Sequence, residues 1–214
     1  AGLAGLSLAA LTAGVALAQA PATPPVPNKG DVAFMMSSTI LVLLMTIPGL
    51  ALFYGGLVRS KNMLSVLAQV FYTVCIVAII WAIYGYSLAF TGGSEFIGGF
   101  SKAFMAGVTT DSAAGTFSVD ANINEMVYFC FQLTFAAITP ALFIGAFAER
   151  TKFAAVALFV PLWVTLIYFP MAHMVWYWAG PDAISDAVKA LAAAADGAAK
   201  TAAQAKLDEV MADG

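Results

Sequence analysis

The chain has 214 residues, of which 62% are hydrophobic and 10% are charged, and its formal net charge at pH 7 is −3. Soluble domains carry about 25% charged residues, so this composition excludes a water-soluble globular domain, and it excludes disorder, which requires low hydrophobicity and high net charge. An integral membrane protein remains, and the acidic balance without a basic patch argues against nucleic-acid binding.

Residues 1–18 have the pattern of a signal peptide. Leu3–Ala18 is a short Ala/Leu run that ends in the A-x-A form of a cleavage site, and a second such motif ends at Ala20. We favour the first site, and we expect the leader to be incomplete at its start because no initiator Met or basic region precedes the run. The alternative is a fifth membrane helix. Residues 19–30 then form a Pro-rich extracytoplasmic lead-in, because four prolines in Pro21–Gly30 oppose a helix.

Four stretches without Asp, Glu, Lys or Arg are long enough to cross a bilayer, whose hydrocarbon core of about 30 Å requires about 20 apolar residues. In these stretches polar and apolar residues do not alternate as barrel strands require. We therefore predict an all-α, polytopic membrane protein whose membrane domain covers residues 31–180. Its predicted helices are Val32–Val58, Met63–Phe90, Met126–Ala148 and Phe153–Gly180.

The distribution of basic residues predicts the orientation. The short loops Arg59–Asn62 and Glu149–Lys152 each hold two basic residues in four positions, whereas the long loop Thr91–Glu125 holds only Lys102. Because Lys and Arg accumulate in short cytoplasmic loops, we expect these two loops inside the cell and the mature N-terminus outside. A secretory leader requires the same topology, at the cell (inner) membrane.

Polar residues within the predicted helices are few, and intramembrane polar residues are often functional. They do not form a His/Cys/Asp/Glu cluster or a nucleophile motif, so we expect no metal, no cofactor and no enzyme activity. Cys75 and Cys130 lie in separate helices and are expected to be apolar fillers. The polar set is Gln69, Thr73, Ser87, Gln132, Thr134, Thr139, Thr165 and His173.

Small residues and prolines are placed regularly. Small residues recur every fourth position in the third helix and in the first, a spacing that lets helices approach closely, either within one protomer or between protomers. Four prolines are expected to kink the helices. The small residues are Ala137, Ala141 and Gly145, with Ala51 and Gly55; the prolines are Pro48, Pro140, Pro161 and Pro170.

Aromatic residues form one face of the third helix. Phe131, Phe135 and Leu142 lie at helical spacing on this face, Gln132 flanks it, and Trp176 lies near the end of the fourth helix. Two interpretations stay open for a Trp at this position. It could be an interfacial belt residue or part of a cation–π site, for which Trp is the strongest ring.

Several ordered motifs together resemble the N-terminal part of the ammonium transporter (Amt/Mep/Rh) family. They are Thr46–Asn62, Tyr84–Phe90, Phe131–Thr139, Gly145–Arg150 and Pro170–Trp176, within a match from about Asp31 to Trp178. The resemblance implies a fold of eleven helices in inverted repeats, of which this chain holds the first four, and a homotrimer in which each protomer has its own pore. It also implies a role in nitrogen uptake, with a cytoplasmic regulatory protein of nitrogen metabolism as a partner.

The resemblance also implies roles for individual residues. Trp176, Phe135 and Gln132 match an outer aromatic site that recruits ammonium, and the matching pore-lining positions are Leu142, Phe53 and Tyr54. Ammonium would bind there by cation–π attraction and lose its proton before passage, because an intact ion is costly in an apolar constriction. The family's pore histidine pair and conserved aspartate lie on later helices. His173 matches a different position, and we expect it to be structural.

Residues 181–214 are Ala-rich, and we predict an extracytoplasmic loop of one or two helices, broken near Gly197, ahead of a fifth membrane helix. We therefore expect the chain to be a fragment that does not conduct alone. The predicted function is transmembrane transport of ammonium or ammonia. The alternative is a non-transporting ammonium sensor of the same family, which a long regulatory extension after the last membrane helix would indicate.

Overall fold

The computed structural model describes residues 27–114, 123–178, 180–194 and 197–212. Within these ranges four helices are long and apolar enough to cross a membrane: α1 Lys29–Leu57, α2 Ser60–Phe90, α3 Glu125–Phe147 and α4 Phe153–Trp176. The four predicted helices are therefore confirmed, although α4 ends at Trp176 rather than at residue 180 because Tyr177 has an extended backbone with ψ 135°. The predicted signal peptide and most of the lead-in lie outside the described residues.

Successive helices run antiparallel; short connections join α1 to α2 and α3 to α4, and the long loop of residues 91–124 joins α2 to α3. We call the end of the bundle where α1 and α3 begin, and α2 and α4 end, the Asn28 end, and the opposite end the Arg59 end. Asparagine side chains cap the N-termini of α1 and α3. The Asn28 side chain accepts from the Gly30 amide at 2.8 Å, and the Asn124 side chain accepts from the Met126 amide at 3.0 Å. Each cap satisfies backbone donors that the first helical turn leaves free.

Three of the four helices contain a π-helical segment. Those of α1 and α4, Met45–Leu50 and Val164–Tyr168, lie at or just after a proline, which lacks the N–H that the α-helical ladder requires. The third segment, Trp81–Gly85 in α2, contains no proline. There the backbone lies directly against α4, since a Cβ on Gly85 would come within 2.5 Å of the Phe169 ring.

Helix α2 lies at the centre of the bundle and contacts the other three membrane helices. Its Trp81 is 1% exposed, and its indole N–H donates to the Phe129 carbonyl of α3 at 3.2 Å. Rings from α2, α3 and α4 surround this indole at centroid distances from 5.7 to 6.2 Å, in tilted or edge-to-face arrangements that aromatic rings favour; they are Tyr86, Phe90, Phe129 and Phe169.

The small-residue spacings pack inside this chain. Ala137 and Ala141 of α3 are buried in the core, and a Cβ on Gly145 would meet the ring of Tyr54 in α1. A Cβ on Gly55 would likewise meet the side chain of Leu67 in α2. Of the two interpretations that the sequence left open, packing within one protomer therefore accounts for both spacings.

Two further helices follow the bundle, α5 Gly180–Ala193 and α6 Ala198–Ala212. They pack against each other, and the break between them includes Gly197 at φ 96°, a left-handed conformation that glycine adopts without strain. The predicted helical tail broken near Gly197 is confirmed.

Candidate functional site

The structure brings Phe135 of α3 and Trp176 of α4 together at the Asn28 end of the bundle. Their ring centroids are 6.4 Å apart with the planes at 68°, and Phe131 extends the row at 5.0 Å from Phe135. Trp176 is 39% exposed, and the two phenylalanines are half-buried. The row therefore presents aromatic surface that is accessible from one side and shielded from the other.

Gln132 lies next to this row in sequence but on the buried side of α3. Its residue is 7% exposed, and its side-chain amide donates to the Tyr128 hydroxyl at 3.2 Å. Its Oε1 has no hydrogen-bond partner among the residues that the structure describes. Because an unmet buried acceptor is costly, this oxygen favours a further donor.

The three other predicted site residues lie at the Arg59 end. The Tyr54 hydroxyl donates to the backbone carbonyl of Leu142, and Phe53 and Tyr54 rings are 5.3 Å apart. The side chains of Phe53 and Leu142 are exposed. Tyr54 and Gly145 also line a cavity of about 280 Å³ at this end of the bundle. The residues that resemblance placed in two separate groups are thus separated in space as well.

His173 of α4 is 4% exposed and has two polar partners. Its Nδ1 lies 3.0 Å from the Ala89 carbonyl oxygen at the end of α2, and its Nε2 lies 3.0 Å from the Ser94 carbonyl oxygen. The ring of Tyr177 stacks on the imidazole at 4.7 Å with 13° between the planes. These contacts support the structural role that the sequence analysis expected for this residue.

A buried ion pair that sequence reasoning missed holds the long loop to the Asn28 end. Glu125, the first residue of α3, is 2% exposed and pairs with the Lys102 ammonium of the loop. The Tyr86 hydroxyl donates to the same carboxylate oxygen at 3.0 Å. Ser87 of α2 also holds the loop in place, because its hydroxyl donates to the Gly99 carbonyl and accepts from the Lys102 backbone amide.

A second polar cluster, also missed, joins the two short basic loops. The Glu149 carboxylate accepts from the Asn62 side chain at 2.8 Å and from the Arg59 backbone amide at 2.9 Å, and it forms an ion pair with the Arg59 guanidinium. These hydrogen bonds, that of Asn62 above all, hold the pKa of the Glu149 carboxyl below its usual range.

Within the described residues no group of three or more His, Cys, Asp or Glu side chains could hold a metal ion. Cys75 and Cys130 are both free thiols.

Comparison with known proteins identifies relatives. A family model, the Ammonium Transporter Family, matches residues 33–199. An ammonium transporter of Bacillus subtilis is 48% identical over 149 residues, which are 70% of this chain and 36% of that protein. Ammonium transporter Amt1 of Archaeoglobus fulgidus is 37% identical over 154 residues, covering 72% of this chain and 35% of that protein.

Solved structures of fungal proteins have the same fold. Mep2 of Candida albicans matches with a TM-score of 0.61 at 30% identity, covering 72% of this chain and 33% of that chain. Mep2 of Saccharomyces cerevisiae matches with a TM-score of 0.62 at 28% identity, covering 72% and 34%. The chain thus spans about a third of the length of the relatives it matches.

Proposed function

This chain belongs to the ammonium transporter family, and on that basis we propose that its protein moves ammonium or ammonia across the cell membrane and so serves nitrogen uptake. The observation that carries the proposal is the ring pair of Phe135 and Trp176, 6.4 Å apart at the Asn28 end. The pair recruits ammonium from outside. The bilayer is the partner of the exposed apolar helix faces.

The chemistry of the ring pair suits a small cation. The faces of Trp and Phe attract cations, and the attraction grows from about 0.5–1 kcal/mol at exposed sites to about 2 kcal/mol or more where the cation is desolvated. Trp176 is 39% exposed and Phe135 half-buried, so the cation keeps part of its hydration on arrival. The Gln132 oxygen, which is buried and has no hydrogen-bond partner among the described residues, offers an acceptor to an N–H donor one helical turn from Phe135.

Below the rings the path becomes apolar, which favours loss of the proton before passage. A charged group at membrane depth costs about 2.5–3.5 kcal/mol or more, whereas neutral ammonia avoids most of that cost. Leu142, Phe53 and Tyr54 line the path at the Arg59 end, where the Leu142 and Phe53 side chains are exposed.

The Asn28 end faces outside and the Arg59 end faces the cytoplasm. The exposed basic residues of the two short loops support this orientation, since Lys and Arg accumulate in short cytoplasmic loops; they are Arg59, Lys61, Arg150 and Lys152. This cytoplasmic face is where a regulatory protein of nitrogen metabolism binds. The working assembly is a homotrimer, which the mass of the detergent-solubilised complete gene product tests directly.

The test is saturable uptake of labelled methylammonium by the complete gene product in cells that lack their own ammonium uptake. Trp176→Leu removes the strongest ring, and we expect the half-saturating concentration to rise by about 3- to 30-fold, as loss of a cation–π contact of about 0.7–2 kcal/mol predicts. Val175→Ala, at the exposed neighbouring residue, is the matched control and should behave as the wild type. Unchanged half-saturation in Trp176→Leu would contradict the recruiting site.

A further inference from the structure

We propose that His173 is the positioning residue of the recruiting site. It ties the last turn of α4 to the end of α2 and to the turn of residues 92–98, and in this way it sets the place of the Trp176 ring. The inference rests on the proposed function in one respect, namely that Trp176 binds the cation.

The contacts of His173 form a two-sided clamp. One ring nitrogen faces the Ala89 carbonyl oxygen and the other faces the Ser94 carbonyl oxygen, each at 3.0 Å. The imidazole is 4% exposed, so water does not replace either contact easily. The ring therefore lies between three elements, α4, α2 and the turn of residues 92–98, with one nitrogen facing each of the two carbonyl oxygens.

Both partners of the ring are carbonyl oxygens, which accept hydrogen bonds and cannot donate them. A neutral imidazole has one N–H donor and one bare nitrogen, whereas imidazolium donates from both nitrogens. Imidazolium alone satisfies both carbonyls, and the neutral ring leaves one contact without its hydrogen bond. A side chain without a polar atom at this position therefore leaves both carbonyls without a ring donor.

The clamp reaches Trp176 through the last turn of α4. The Tyr177 amide donates to the His173 carbonyl at 3.0 Å, so the helix closes immediately around the Trp176 position. Tyr177 also stacks on the imidazole. Terminal helical turns are otherwise the part of a helix that opens most readily, and here the clamp and the stack hold the turn that carries Trp176 against Phe135.

The experiment measures methylammonium uptake by the complete gene product. His173→Phe keeps the stacked ring but loses both ring nitrogens. It should raise the half-saturating concentration by about 3- to 10-fold, the factor that one hydrogen bond supplies, and change the maximum rate less.

Two further variants separate positioning from general folding. His173→Gln restores one side-chain donor, so its half-saturation should lie between wild type and His173→Phe. Tyr72→Phe removes the hydrogen bond from Tyr72 to the Ala157 carbonyl, which joins the same two helices nearer the Arg59 end, and it should match the wild type. Half-saturation is independent of how many copies reach the membrane, and if His173→Phe does not accumulate, His173→Gln carries the test.

The failures are distinguishable. Wild-type half-saturation in the His173 variants, or a loss of maximum rate alone, would overturn the positioning role while the proposed function stands. Absence of saturable uptake by the wild type would overturn the proposed function itself.

Discussion

Removal of the Lys102 ammonium should destabilise the protein more than neutralisation of its partner Glu125. Lys102→Met leaves the Glu125 carboxylate, 2% exposed, with the Tyr86 hydroxyl as its remaining described donor. Breaking a buried ion pair by removing one partner costs about 3–5 kcal/mol. The Lys102 side chain is 31% exposed, so solvent screens part of the pair and we expect about 2–3 kcal/mol.

Glu125→Gln leaves the Lys102 ammonium without its carboxylate partner, but the Lys102 side chain is partly exposed to solvent. The Lys102 ammonium sits on a flexible stem and can turn toward water, while the glutamine still accepts from Tyr86. We expect a loss of about 1 kcal/mol, near the net value of a single hydrogen bond. The double variant should then be less unstable than Lys102→Met alone, because it no longer buries an unpaired carboxylate.

The assay is the free energy of unfolding of the solubilised complete gene product, measured for the two single variants and the double variant as a mutant cycle. Lys152→Met, which removes an exposed lysine at the Arg59 end, is the control and should change stability little. Equal losses in Lys102→Met and Glu125→Gln, or a double variant as unstable as the sum of both, would refute the reasoning.

Two further predictions concern packing and the short loops. Gly85→Ala should destabilise the protein by about 1–3 kcal/mol because its Cβ would overlap a buried ring. Gly56→Ala, with open space at its Cβ, should stabilise the protein by up to about 1 kcal/mol through helix propensity. The free energy of unfolding of both variants measures this, and destabilisation by both would contradict it. The lowered pKa of Glu149 means that its ionised form stabilises the folded state, so the advantage of wild type over Glu149→Gln should be full at neutral pH and disappear as the pH falls below the usual glutamate range near about 4.3. Thermal midpoints against pH measure this advantage, and one that grows on acidification would contradict the sign.

The four membrane helices could be predicted because length and lack of charge are local properties of the sequence. A stretch such as Met63–Phe90 has one physical solution in a bilayer, a helix whose backbone groups bond to each other. The observed helix ends differ from the predicted ones by a few residues, because capping side chains and residues with extended backbone determine where each helix begins and ends. The π-helical segment Trp81–Gly85 could not be predicted, since it contains no proline and coincides with the close approach of Gly85 to Phe169.

The candidate site was predictable in its residue types but not in its geometry. The aromatic face of α3 follows from helical spacing, and the choice of Phe135 and Trp176 came from resemblance. Their separation of 6.4 Å depends on how α3 and α4 pack. The partners of His173 are backbone carbonyls. The partner of Glu125 is Lys102, which lies in a loop 23 residues earlier in the sequence. Sequence patterns carry no signal for either kind of partner.

The most direct test of the account is an ammonium pulse applied to proteoliposomes that contain the purified complete gene product. We predict a saturable current or internal pH change with ammonium, competition by methylammonium, and a higher half-saturating concentration when Trp176 is replaced by Leu. No response above that of empty liposomes, or a response that Trp176→Leu leaves unchanged at every concentration, would contradict it.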